Sequence, residues 1–260
     1  MNSPKRLARV AGLLYLLVAI CGGFAEGFVY PTLYVAGNAS ATAANLAANP
    51  GLARLGVVAD LLDQTFFVFL ALSLYALLRH VNANVARAMV VLVVLAAAVT
   101  CLNVVFEYEG LRMATGSVDA SALGASGSNT LVLVLLDVQH YGILVAQLFF
   151  GLWLAPLGYL AVKSGWFPKP LGIALGLATV SYLVDLFVAF LLPNLSSAIH
   201  GYLGIVPAIA EIGMMLFLLV FGIRIPRHER QDAAVPTGPA APPHDTSLNA
   251  FSVLAWLPRR

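Results

Sequence analysis

Apolar side chains run along this chain in six long stretches, separated by short breaks rich in proline, glycine or charge. That pattern predicts helices at about residues 7–30, 54–78, 86–107, 131–162, 170–192 and 203–225. An α-helix needs about 20 apolar residues to cross a hydrocarbon core of about 30 Å, and the stretches reach that length. The expected fold class is therefore all-α: a polytopic membrane bundle of six transmembrane helices. The breaks carry their own signals. Tyr30-Pro31 is expected to end the first helix. The following SATAANLAANPG suits a short surface helix capped by Ser40 and stopped by Pro50. Residues 114–129 are rich in Gly and Ser and read as a flexible loop. KSGWFPKP reads as a tight turn, because Gly165 and two prolines cannot continue a helix. Pro156 and Pro207 are expected to kink the fourth and sixth helices. Residues 1–228 form the predicted transmembrane domain. Residues 229–260 turn to Ala, Pro, Thr and Asp and read as a disordered tail. Its apolar end, LNAFSVLAWLPRR, is too short to span and suits an interfacial anchor or a neutral tail.

Composition supports the membrane assignment: 60% of residues are hydrophobic, 10% are charged, and the mean hydropathy is +0.89. The net charge of +2 implies no nucleic-acid partner and leaves the bilayer itself as the expected one. Cys21 and Cys101 fall inside apolar stretches and suit packing rather than a disulfide. Lys5, Arg6 and Arg9 before an apolar run imitate a secretory signal. No small-x-small cleavage site follows, however, and a retained first helix fits better. Charge sets the expected orientation. With six spans, twelve of the 14 cations fall on one side, leaving only Arg54 and Arg112 opposite. The cation-rich side is cytoplasmic by the positive-inside rule, so both termini are expected inside.

Acidic residues interrupt the apolar stretches, and carboxylates within a membrane are costly enough to mark candidate sites. Glu26, Asp63, Asp185 and Glu211 lie 13 to 17 residues from the cytoplasmic cation of their own helix. At 1.5 Å per residue that is about 20–25 Å into the bilayer. Asp60 and Glu107 lie 19 and 20 residues away, near the outer boundary, where a headgroup or capping role is the expectation. Asp137 and His140 are expected at the outer interface, spaced to orient an imidazole or to hold a cation together. Asp60, Asp63, Gln64 and Phe67 share one face of the second helix. The candidate ligand-binding set is thus Asp63, Asp185, Glu211, Asp60, Glu26, Asp137 and His140, with the first three as its core. A metal site would draw on His140 and His200 with Asp137, Asp63 or Glu211, but no HExxH is present and His200 falls in the expected loop SSAIHGY. No metal, cofactor or catalytic residue is assigned. Gly172/Gly176 and Gly23/Gly27 are small-xxx-small pairs that suit close helix crossings, and Gln147 and Asn103 suit bridging between helices.

The segments RVAGLLYLL, ATAANLAAN, LGVVADLL, LLDVQHYG, LGYLAVKSGWFPKPLG, YLVDLF and PAIAE, in that order, resemble the bacterial integral-membrane family called domain of unknown function 4386. The resemblance spans roughly residues 7–225. It implies a bacterial multi-pass inner-membrane protein and supplies no catalytic residues. Three functions remain open on the sequence. One is an outward-facing acidic cavity that binds a cation, proton, small solute or lipid group, as a transporter would. The second is an outer-leaflet hydrolase, with or without a metal. The third is a non-catalytic scaffold or sensor subunit. The residues favour a non-enzyme.

Overall fold

A computed structural model describes residues 4–224, all of whose regular structure is helical. The 229–260 tail, its apolar end and the cations beyond Arg224 lie outside the described residues. In chain order, α1 (Pro4–Phe24) passes through a widened π turn (Ala25–Val29) into the short α2 (Tyr30–Leu33). There follow α3 (Ala39–Ala48), α4 (Pro50–Leu78), α5 (Ala83–Ala114), α6 (Gly124–Leu152), α7 (Leu154–Ser164), α8 (Lys169–Leu191), α9 (Pro193–Leu203) and α10 (Ile205–Val220). Six helical segments are long and apolar enough to cross a membrane: Pro4–Leu33, Pro50–Leu78, Ala83–Ala114, Ser121–Ser164, Lys169–Leu191 and Ala198–Val220.

The spans close into a ring. α1 packs on α4, α4 on α5, α5 on α6, α6 on α8, α8 on α10, and α10 back on α1. The two ends of the ring differ. At the terminal end, where Pro4 and Arg224 lie, the interior is apolar. Leu70, Leu74, Leu78, Met89, Trp153, Leu154 and Leu157 are fully buried there, and Trp153 meets the Phe67 ring edge-on at 5.0 Å. The opposite, distal end is covered by α3, whose Ala43 and Leu46 pack with Val29, Leu33, Ala53, Leu111, Val132 and Leu136.

Local chemistry explains where several elements begin and end, and corrects the expected boundaries. Tyr30-Pro31 does not end the first helix. Proline at 31 cannot bond the carbonyl four residues back and crowds it. The π turn immediately before it widens the backbone, so the helix runs on to Leu33. Asn38, not Ser40, caps α3, its Oδ1 accepting from the Ala41 N–H at 3.0 Å. Pro50 opens α4 at its first turn as well as limiting α3, since a first-turn residue needs no helical N–H partner. Asn82 Oδ1 accepts from the Asn84 and Val85 N–H groups and starts α5. The Gly/Ser-rich segment is only partly a loop: α6 starts at Gly124, seven residues before the expected 131. Gly165, at φ +67°, closes α7 in the left-handed conformation and begins the expected turn.

Both expected kinks occur as breaks three residues ahead of their prolines, at Trp153 before Pro156 and at Gly204 before Pro207. Pro207 leaves the Leu203 carbonyl without its helical donor, and the buried Ser181 hydroxyl on α8 supplies one at 2.6 Å. Ser181→Ala should therefore lower stability by about 1 kcal/mol. In a Pro207→Ala background the restored N–H at 207 should remove most of that loss. Thermal melts of the two single variants and the double variant would check this; simple additivity would refute it.

Candidate functional site

Every wall of the ring sends a polar side chain into its interior. Glu26 comes from the π turn after α1. Asp60, Asp63 and Gln64 come from α4, and Thr100, Asn103 and Glu107 from α5 at helical spacing. Gln139 and Gln147 come from α6, Tyr182 and Asp185 from α8, and Glu211 from α10. Asp60, Asp63, Glu107 and Asp185 are 4–8% exposed; Glu26 and Glu211 are half-buried. The layer runs from mid-span toward the distal end, above the apolar terminal core.

Two groupings make up the layer. In the first, Glu26 lies within electrostatic range of Asp60, Asp63 and Glu107, and Glu107 and Asp63 both lie within range of Asp60. Neutral amides serve these acids. Gln64 Nε2 donates to Asp63 Oδ2 at 2.6 Å, and Gln139 Nε2 donates to Glu26 Oε1 at 3.4 Å. Two glycines leave room for carboxylates between helices. A Cβ on Gly22 would stand 3.3 Å from Asp63 Oδ1, and one on Gly56 would stand 3.5 Å from Glu107 Oε1. In the second grouping, Glu211 accepts from two phenols, Tyr15 Oη at 2.8 Å and Tyr182 Oη at 3.0 Å. Asp185 accepts from Gln147 Nε2 at 2.8 Å and faces His200 Nδ1 at 3.0 Å from both oxygens. Gln147 also donates to the Tyr182 carbonyl at 3.3 Å. Asp63 and Glu211 lie within electrostatic range of each other and join the two groupings.

Acceptors outnumber donors in this layer. Asp63 Oδ1, Gln64 Oε1 and Gln139 Oε1 are buried without a hydrogen-bond partner, as is Thr100 Oγ1. Among the described residues, the recorded partners of the buried acids are neutral side chains and His200. Burying carboxylates without positive counter-charge is unfavourable unless a proton or a cation balances them.

A family model described as "Domain of unknown function (DUF4386)" matches residues 10–222. The chain belongs to this family. No curated protein and no solved structure matches it. The DUF4386 match covers all six membrane-length segments nearly end to end and contains every member of the acidic layer.

Several sequence positions in this DUF4386 chain take on different surroundings from those expected. Asp60 and Glu107 are buried within α4 and α5 and do not cap a helix end. α4 begins ten residues before Asp60 and α5 runs seven residues beyond Glu107, so both carboxylates are carried into the interior. Asp63 and Glu211 come together, whereas Asp185 belongs with Gln147 and His200 and reaches Glu211 only through Tyr182. His200 lies on α9 rather than in a loop. Asp137 and His140 share no recorded hydrogen bond with the layer, although Asp137, Glu26 and Glu107 all lie within electrostatic range of Tyr30. Tyr34 donates to Asp137 Oδ1. Burial, reinforced by that bond and by the Asp137 charge, holds the Tyr34 phenol above the ordinary tyrosine range, so it remains a donor. The His140 ring stacks against Tyr30 and Tyr34 at 6.0 and 5.8 Å instead of pairing with Asp137. Among the described residues no three His, Cys, Asp or Glu side chains are grouped as metal ligands would be. Gln147 bridges α6 and α8 through Asp185 and the Tyr182 carbonyl. Asn103 bonds within its own helix, donating to the Val99 carbonyl at 2.8 Å.

Tyr15 and Tyr182 are members of the candidate site that the sequence reading did not single out. Each is a phenol in the middle of an apolar run, where a buried hydroxyl calls for an acceptor. That signal could have flagged them, but only the fold shows that both converge on Glu211.

Proposed function

We propose that this protein is a transporter-like membrane protein whose acidic layer binds protons or a small cation and lets them exchange with the distal face. In this reading it lies in a bacterial inner membrane with both termini cytoplasmic, in line with the cation count, so the distal face is external. The observation that carries the proposal is the set of orphaned acceptor oxygens, Asp63 Oδ1, Gln64 Oε1 and Gln139 Oε1, buried beside carboxylates whose recorded partners among the described residues are neutral side chains and His200. Acceptors without donors suit a ligand that is itself a donor or a positive charge. The apolar terminal core beneath the layer, with Trp153 and Leu157 fully buried, supplies a barrier on the other side. The Asp185–His200 pair supports exchange at the distal end, because the His200 side chain is 66% exposed while Asp185 is only 7% exposed.

Proteoliposomes loaded with a pH-sensitive dye provide the test, with inward gradients of protons, sodium or potassium applied in turn. The wild-type protein is expected to give a flux above that of empty vesicles for one of these ions. Asp63→Asn and Glu211→Gln should each reduce it at least about tenfold while the protein reconstitutes normally. Flux that is absent for all three ions, or unchanged in the double variant, would overturn the proposal.

A further inference from the structure

A second feature of the chain borders the acidic layer and shares Asn103 with it. Between α5, α6 and α8 is a lateral cleft of about 400 Å³, within the size range of sites for single small molecules and too small for a two-chain lipid. Its lining follows one stripe of α6, at residues 134, 137, 138, 141, 142 and 145, with Asn103 opposite and Phe190 at the α8 side. Residues 134 to 145 cover about 16 Å of helix, roughly the reach of a twelve-carbon chain. Val138, Tyr141, Val145 and Phe190 are 39–55% exposed, so the cleft opens sideways, where hydrocarbon would lie.

Only two polar side chains other than Tyr141 line the cleft, Asn103 and Asp137, and both offer acceptors. Asn103 spends its N–H on the Val99 carbonyl, which leaves Oδ1 turned to the glycine backbone at 142. Asp137 is an acidic side chain whose recorded hydrogen-bond partner is the neutral Tyr34 phenol, on one oxygen. An apolar trough with an acidic side chain near its distal end, recorded in no ion pair among the described residues, is complementary to a cation carrying a hydrocarbon chain.

We propose that this cleft binds a single-chain amphiphile with an ammonium head, the head on Asp137 and the chain lying along α6 toward Val145. Asp137 is separate from the orphaned acceptors of the layer, so the site does not depend on ion exchange there.

Radiolabelled dodecylammonium binding to the full chain in phosphatidylcholine nanodiscs, with empty discs subtracted, tests the proposal. Saturable binding near one per chain is expected, with competition by unlabelled dodecylammonium and not by dodecyl sulfate. Asp137→Asn should weaken it at least about tenfold, because the charge-assisted contact is lost. Val145→Trp, at a position 46% exposed, should fill the trough and abolish binding without disturbing the core. Asp63→Asn should bind like the wild type even if ion flux is lost. Absence of saturable binding, equal competition by the sulfate, or full binding by either Asp137→Asn or Val145→Trp would overturn the proposal.

Discussion

Asp60→Asn should make the protein more stable and less active at the same time. Asp60 is 4% exposed and, among the described residues, accepts no hydrogen bond, while Glu26, Glu107 and Asp63 all act on it electrostatically. A carboxyl in such surroundings is held at an energetic loss, and neutral residues of similar volume in buried charged positions are often better tolerated. Asparagine keeps the shape and adds an N–H₂ donor that the acceptor-rich surroundings lack. A gain of about 1–2 kcal/mol would raise Tm by roughly 3–6 °C, scaling from soluble domains of comparable size. The exposed Arg112–Glu109 pair provides the contrast. At 2.6 Å, with side chains 41% and 38% exposed, its loss in Glu109→Gln should move Tm by less than about 2 °C. Melting curves in one detergent, alongside the ion-flux assay, would read both halves of the expectation. A layer kept for function gives higher Tm with lower flux, as strained or frustrated functional sites do. A lower Tm for Asp60→Asn would instead mean that the carboxyl holds the bundle together, which is the scaffold reading.

The six spans were legible because the bilayer imposes one length on every crossing segment, and apolar runs of that length stand out without knowledge of packing. Helix ends were less legible, because they depend on what covers them. α6 starts seven residues before its apolar run, and α3 covers the adjoining stretch, where Leu46 packs on Val132 and Leu136. The same limit affected depth. Counting residues from the cation at the terminal end of each helix gave Asp60 and Glu107 shallow positions near a helix end, but α4 and α5 overrun their apolar stretches and both carboxylates are buried. Acidic positions could be read one at a time, since each breaks an apolar pattern. Their partners could not. The Tyr15 and Tyr182 hydroxyls meet Glu211 from sequence separations of 196 and 29 residues, and only the closed ring brings them together.

Glycines give the sharpest contrast between pattern and packing, and a prediction with a large effect. A Cβ on Gly12 would meet the backbone nitrogen of Leu219 at 2.7 Å and the Leu218 carbonyl carbon at 2.9 Å. A Cβ on Gly158 would meet the Gly172 carbonyl oxygen at 2.6 Å. Backbone cannot rotate out of the way as a side chain can, so α1 would have to part from α10, or α7 from α8. Overpacking of this kind costs about 1–3 kcal/mol, and Gly12→Ala and Gly158→Ala should each lower Tm by roughly 3–10 °C. The larger Gly12→Leu should prevent accumulation of folded protein. Gly172, one half of an expected pair, is a true crossing residue, with Val162 and Gly158 against it. Its partner Gly176, and both Gly23 and Gly27, would place a Cβ in open space. At those three positions alanine should leave Tm unchanged or raise it by about 1–3 °C, because it favours a helix by up to about 1 kcal/mol over glycine. A small-xxx-small spacing marks where helices can approach, whereas the distance to the facing backbone decides where they do. Equal melting temperatures for Gly12→Ala and Gly176→Ala would mean that the α1–α10 crossing is looser than the geometry indicates, and the ring that encloses the acidic layer would then have a seam at that wall.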